Sequence, residues 1–255
     1  MGEPLWGSQM NYKDKKTEQI AEGVILYNSQ EWNRNAGIKG LLFDMDGLIL
    51  DTEKLYTRFW QEAAIAFGYP MTREQALGMR SLNREYGEAK LRSYFGDGVN
   101  YEEVRLKRIE LMSAFIEKEG VETKAGVQEL MSYLKEHDFK TAIATSSPLA
   151  RAQKYLESVG LEDAFDKIIT GDMVKKGKPE PEIYQLAAAK LGLEPCECLA
   201  LEDSPTGIVS ANKAGCFPVM IPDQDRPSEE TKSLLFAQAE RLNQVIHLLK
   251  WFEVS

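Results

Sequence analysis

Residues 38–50 read IKGLLFDMDGLIL, an almost unbroken apolar run that closes on two acidic residues and a glycine. A strand buried on both faces shows such a run, whereas a half-buried strand alternates apolar with polar. The segment therefore reads as a strand of a parallel sheet, with Asp44-Met45-Asp46-Gly47 at its carboxyl end. If the strand ran straight through both carboxylates, Asp44 and Asp46 would share a face. A turn at Gly47 changes that, because glycine lets the backbone bend and present N–H groups to an anion. One carboxylate can then attack phosphorus while the other handles a proton. Taken alone, Asp-x-Asp-Gly also fits a plain strand-end turn, so the rest of the chain decides between them.

Downstream, residues 53–119 carry only helical patterning, in KLYTRFWQEAAIAFG, TREQALGMR, NREYGEAKLRSYFG and YEEVRLKRIELMSAFIEKEG, with Gly and Pro at the breaks. Trp60 and Phe67 read as core of this insert. Helices and strands then alternate: GVQELMSYLKEH, FKTAIAT, PLARAQKYLESVG, DKIIT, PEIYQLAAAKLG, CLALED, TGIVSANKAG and FPVMI. That order implies a doubly wound α/β sheet with right-handed crossovers. Residues 231–252, TKSLLFAQAERLNQVIHLLKWF, read as one amphipathic closing helix. The expected division is an extension over 1–37 with no assignable pattern, an α/β core over 38–52 and 119–255, and a helical insert over 53–118.

The 255 residues suffice for one large domain carrying an insert, and 43% hydrophobic with 28% charged residues excludes long disorder. No run approaches the roughly 20 apolar residues of a membrane span. The start, MGEPLWGSQMNYKDKK, has no signal-peptide pattern, so the cytoplasm is expected. Cys196 and Cys198 fall short of a structural zinc site, and with Cys216 they are expected as buried reduced thiols. A net charge of −9 without a basic block argues against nucleic acid, so any bound anion must meet locally arranged positive charge.

In an open parallel sheet, ligands collect beyond the carboxyl ends of the strands. Four distant segments deliver polar groups there: Asp44 to Gly47, Thr145-Ser146-Ser147, Lys178-Pro179 and Glu202-Asp203-Ser204. Ser147 and Pro148 read as an N-cap and first helical residue, and a helix N-terminus suits phosphate. Lys178 stands just ahead of a helix, where the dipole disfavours a cation, so it calls for an anionic partner. Glu202 and Asp203 end a buried strand, where carboxylates need cations. Mg²⁺ answers that need, since it takes oxygen ligands and keeps waters that phosphate oxygens can replace.

These motifs resemble the haloacid dehalogenase superfamily over residues 38–221. FDMDGLILDTE resembles its nucleophile loop, AIATSS its second motif, GKPEPEIY its lysine motif and ALEDSPTGI its acidic motif. The resemblance implies a Rossmann-like core with a small helical cap, of the subgroup that includes β-phosphoglucomutase and sugar-phosphate or pseudouridine-phosphate phosphatases. It implies Asp44 as nucleophile forming an aspartyl-phosphate, and Asp46 as acid and base. Gly47, Thr145, Ser146 and Lys178 would hold the phosphoryl group. Mg²⁺ would sit on Asp44, the Asp46 carbonyl, Asp203 and Glu202. In the cap, Thr52, Tyr56, Arg80, Ser81 and Asn83 are the substrate candidates. Tyr56 stands where β-phosphoglucomutases carry histidine, which disfavours a sugar phosphomutase, and the intact site residues disfavour a non-catalytic binding module. The expected activity is hydrolysis of a small phosphorylated metabolite, by a monomer or small homo-oligomer.

Overall fold

The computed structural model describes residues 17–27, 37–79, 82, 84–223 and 226–253. At its centre lies β3 (Gly40–Phe43), paired in parallel with β4 (Lys140–Thr145) on one side and β6 (Cys198–Glu202) on the other. β5 (Lys167–Thr170) extends the sheet beyond β4, and β7 (Phe217–Met220) extends it beyond β6, both in parallel. Helices α5 (Val127–Glu136), α6 (Leu149–Ser158), α7 (Glu182–Leu191) and α8 (Pro205–Ala214) make the crossovers. The apolar run now has its reason. Leu41 and Phe43 pack with Leu130 and Leu134 of α5 and Leu156 of α6, while Leu42 packs with Tyr184 and Ala187 of α7 and Ala211 of α8. Both faces of β3 are covered, so neither tolerates a polar side chain.

The chain winds outward from β3 through β4 to β5, then returns to lay β6 and β7 on the opposite side of β3. The direction of winding switches beside β3, which opens a crevice at the carboxyl ends of β3, β4 and β6.

Two expectations fail at the other end of the sheet. Within the stretch 1–37, β1 (Thr17–Ala21) and β2 (Val24–Tyr27) form an antiparallel hairpin. The single closing helix is instead α9 (Glu229–Leu234), a strand β8 (Ala237–Ala239) and α10 (Val245–Glu253). β8 pairs in parallel with β7 and antiparallel with β2, giving the order β1-β2-β8-β7-β6-β3-β4-β5. The cause is burial: Leu235, Phe236, Ala237 and Ala239 are all fully enclosed, and an extended chain delivers their backbone groups to neighbours on both sides.

The insert comprises α1 (Glu53–Ala66), α2 (Arg73–Leu77), α3 (Arg84–Phe95) and α4 (Tyr101–Glu119), around its own core of Trp60, Met71, Leu91, Tyr101 and Val104. Phe67 is not part of it and stands 42% exposed just past the end of α1. The two connections to the core run side by side, with Asp51 N–H donating to the Glu122 carbonyl and Lys124 N–H to the Ile49 carbonyl, each at 2.8 Å. Cys198 and Cys216 are buried free thiols as expected, whereas Cys196 is exposed. No helix among the described residues is long and apolar enough to cross a membrane.

Candidate active site

β3 ends at Phe43, so Asp44 is the first residue released from the strand, its N–H still held by the Leu201 carbonyl at 3.0 Å. Beyond it the chain turns through Gly47, whose φ of 85° lies in the region that favours glycine. A Cβ there would also lie 2.2 Å from Asp203 Oδ2, so the glycine lets the two loops approach.

The four motif segments converge. Lys178 Nζ donates to Asp44 Oδ1 at 2.5 Å and to Glu202 Oε1 at 2.6 Å, and all three side chains are almost wholly buried. One ligand oxygen from each of Asp44, Glu202 and Asp203 lies within 4.8 Å of the others, an acidic group that could hold a metal ion. Burial pushes the Asp44 carboxyl up to about 7, with Lys178 opposing and Glu202 and Asp46 adding to the rise. Burial, then Asp44 and Glu202, raise Asp203 well above the carboxylate range. Lys178 is held up by Asp44 and Glu202 against burial, which alone would lower it. One ammonium thus serves a cluster of carboxylates, and the remaining repulsion is what a divalent cation relieves.

Glu202 is the most fully engaged of them. Its Oε1 also accepts from Tyr184 Oη at 2.6 Å, and its Oε2 accepts from Ser204 Oγ at 3.1 Å. It fits only because residue 207 is glycine: a Cβ there would lie 1.9 Å from the carboxylate. Gly207 is inside α8, where alanine ordinarily stabilises by about 1 kcal/mol. Here Gly207→Ala is expected to destabilise instead, by roughly 1–3 kcal/mol of overpacking. Urea unfolding of both proteins decides the sign.

Asp46 is turned away from the acidic group. Its Oδ1 accepts from Thr52 Oγ1 at 3.0 Å and its Oδ2 from Ser147 Oγ at 2.6 Å, with Arg151 at 3.7 Å. Ser147 is therefore not the expected N-cap. Pro148 precedes the first helical residue, Leu149, and the Ser147 hydroxyl goes to a nearby carboxylate, a charge-assisted bond stronger than a cap. Thr145, at the end of β4 and 1% exposed, accepts the Ser147 N–H at 3.1 Å, while Ser146 is exposed at the crevice. Tyr56 is partly buried on α1, near Asp46. Arg80, Ser81 and Asn83 lie outside the described residues.

Sequence reasoning missed Tyr184, Gly207 and Arg151. Arg151 left a signal like that of Lys178, a cation at a helix N-terminus where the dipole opposes it, Arg151 inside the first turn of α6 and Lys178 just ahead of α7.

The sequence profile of the haloacid dehalogenase-like hydrolases matches residues 38–215. The phosphorylated carbohydrates phosphatase of Thermotoga maritima is 32% identical over 178 residues, 70% of this chain and 82% of that protein. Hexitol phosphatase A of Escherichia coli is 33% identical over 189 residues, 72% of this chain and 82% of that protein. Among solved structures, a family IA, variant 3 hydrolase from Entamoeba histolytica shares the fold with a TM-score of 0.73 at 24% identity, covering 85% of this chain and all of that one.

Proposed function

We propose, from the premise that this chain belongs to the haloacid dehalogenase-like hydrolases, that it is a Mg²⁺-dependent phosphatase acting on a small phosphomonoester, a sugar phosphate or nucleotide-like phosphate. The observation that carries this reading is the Asp44 carboxylate, held 2.5 Å from Lys178 amid the acidic group at the carboxyl edge of the sheet. Asp44 attacks phosphorus as the bond to the leaving oxygen breaks, and Asp46 gives that oxygen its proton. Water then attacks the aspartyl-phosphate, Asp46 takes the water's proton, and Asp44 is regenerated with inorganic phosphate released. Splitting one very slow hydrolysis into two steps is the gain of covalent catalysis. For both proton transfers Asp46 must exchange its bonds to Thr52 and Ser147 for the reacting oxygens. Thr145, Ser146 and the turn at Gly47 hold the phosphoryl oxygens, and Lys178 neutralises them while restraining Asp44.

The donor set fits a hard divalent cation, being all oxygen and mutually repelling. Asp44, Asp203 and the Asp46 carbonyl would hold Mg²⁺, with Glu202 acting through water because both its oxygens are already engaged. When bound, Mg²⁺ supplies positive charge for the phosphoryl oxygens. Metal binding must displace the proton that the Asp44 carboxyl, raised to about 7, retains below that pH, and the upward shift of Asp203 acts in the same direction. Saturating Mg²⁺ is therefore expected to raise the melting temperature over an EDTA control by about 5 °C or more at pH 8, and by less at pH 6. A shift of equal size at both pH values would contradict the raised Asp44 carboxyl.

The helical insert is the cap in this reading: closing over the crevice, it excludes water and selects the leaving group. The place of action is the cytoplasm. The test is phosphate release from a panel of phosphorylated sugars and nucleotides. Release that EDTA abolishes is expected, and none across the panel with Mg²⁺ present would end the proposal. Isomerisation of a hexose 1-phosphate in the presence of its bisphosphate, the mutase outcome, is not expected with Tyr56 at its position.

A further inference from the structure

Where the insert meets the core lie two arginines with one carboxylate between them. Arg108, in the middle of α4, is 7% exposed. Its guanidinium stands 4.9 Å from the Tyr56 ring and 5.2 Å from the Trp60 ring, and its hydrogen-bond partners are the Tyr56 hydroxyl and the Met112 sulfur. Its Nε is buried without an acceptor, and no carboxylate among the described residues pairs with it. Arg151, on α6, approaches from the core side. It donates to Ser147 Oγ, lies 3.7 Å from Asp46 Oδ2, interacts with the same Tyr56 hydroxyl, and also leaves its Nε buried without an acceptor.

The charges do not balance. Two guanidinium groups repel each other across a neutral phenol, and the one carboxylate in reach, Asp46, is shared with Thr52 and Ser147. Cation–π contacts offset only part of the desolvation of a buried arginine. Burial and the Asp46 charge raise the Tyr56 hydroxyl, so it stays a neutral phenol between the two guanidiniums and cannot supply the missing negative charge. In a chain of net charge −9, a buried excess of positive charge beside a proton-donating aspartate is a local arrangement that calls for an anion.

Resting on the phosphatase reading above, we propose that Arg108, Arg151 and Tyr56 form a second anion subsite, and that the preferred substrates are phosphomonoesters with a further acidic group, a carboxylate or a second phosphate, on the leaving part. The side of the substrate follows from Asp46: it protonates the leaving oxygen, so a group reaching the neighbouring Arg151 belongs to the leaving part. The way in is at Arg151, whose side chain is 28% exposed while Arg108 is closed off. The arginines come from opposite sides of the insert–core junction, so an anion held by both also draws the insert onto the core.

The test compares matched substrates with Mg²⁺ present: 3-phosphoglycerate against glycerol 3-phosphate for the carboxylate, and glucose 1,6-bisphosphate against glucose 6-phosphate for the phosphate. In at least one pair the acid-bearing member is expected to have a kcat/KM roughly 10- to 100-fold higher, the range for charge-assisted hydrogen bonds. Arg108→Gln and Arg108→Met should bring that ratio close to one. A merely structural arginine predicts a different second readout. Arg108→Met should melt at or above the wild-type temperature, because an apolar side chain of similar length relieves an unmatched buried charge. Ratios near one in both pairs for the wild type, a ratio unchanged in the variants, or an Arg108→Met protein that melts well below wild type would each overturn the subsite. Equal release from neutral and acidic members removes the subsite and leaves the phosphatase, whereas no release from any phosphoester removes both.

Discussion

Asp44→Asn is expected to lower kcat by roughly four orders of magnitude or more, the scale seen when a covalent nucleophile is removed, while leaving the fold intact. The amide keeps the size of the side chain and can still accept from Lys178, but it cannot form the acyl-phosphate bond. Stability moves the other way. In the metal-free protein the Asp44 carboxyl is raised to about 7 by burial, so the folded state holds a proton that the unfolded chain has released. A raised carboxyl loses stability as pH climbs from its ordinary value through its folded value. Between about pH 4 and pH 7 the wild type therefore forfeits stability at this position that the asparagine variant keeps. Without metal, Asp44→Asn should unfold at higher urea than the wild type at pH 8, with the difference shrinking toward pH 4. Phosphate release near the wild-type rate, or a variant less stable than wild type at pH 8, would count against the assignment.

Lys178→Met is expected to damage fold and turnover together. The ammonium is shared by Asp44 and Glu202 at 2.5 and 2.6 Å, and Glu202 is wholly enclosed. Removing one partner of a buried ion pair leaves the others uncompensated and costs about 3–5 kcal/mol. Methionine fills the space of the lysine stem, so the loss reports charge and not a cavity. Turnover should fall by roughly 10²- to 10³-fold or further, since a donor aimed at the developing charge is lost. Mg²⁺ should recover part of the stability, because it neutralises the same carboxylates, but not the rate. Unchanged urea stability would mean that this ion pair does not hold the site together.

The catalytic edge of the sheet was legible in the sequence because strands buried on two faces leave unbroken apolar runs, and the polar residues ending them have one place to go. Lys178, Glu202 and Asp203 each read as charges that their position could not tolerate alone, and Asp44, which alone fits a plain strand-end turn, is picked out by their company. The opposite edge was not legible. β2 joins the sheet only through β8, β8 lies between β2 and β7, and AQA within LLFAQAERL has helix-forming composition until burial between two strands decides otherwise. The two misreadings there are one event, because the hairpin is joined to the sheet through the strand that was read as helix. Ser147 was misread for a related reason: its local sequence fits an N-cap, and its partner Asp46 lies 101 residues away. Arg108 and Tyr184 looked like ordinary helix residues, since the groups they meet come from other elements.

The account stands on transfer of phosphorus to one aspartate. Its most direct test is a single turnover of a ³²P-labelled phosphomonoester, quenched in acid within milliseconds and mapped by peptide digestion. Label on the peptide containing Asp44, absent from Asp44→Asn, is the predicted result. Wild-type protein that releases labelled phosphate with no label on the chain at any time, or with label on another residue, would contradict it.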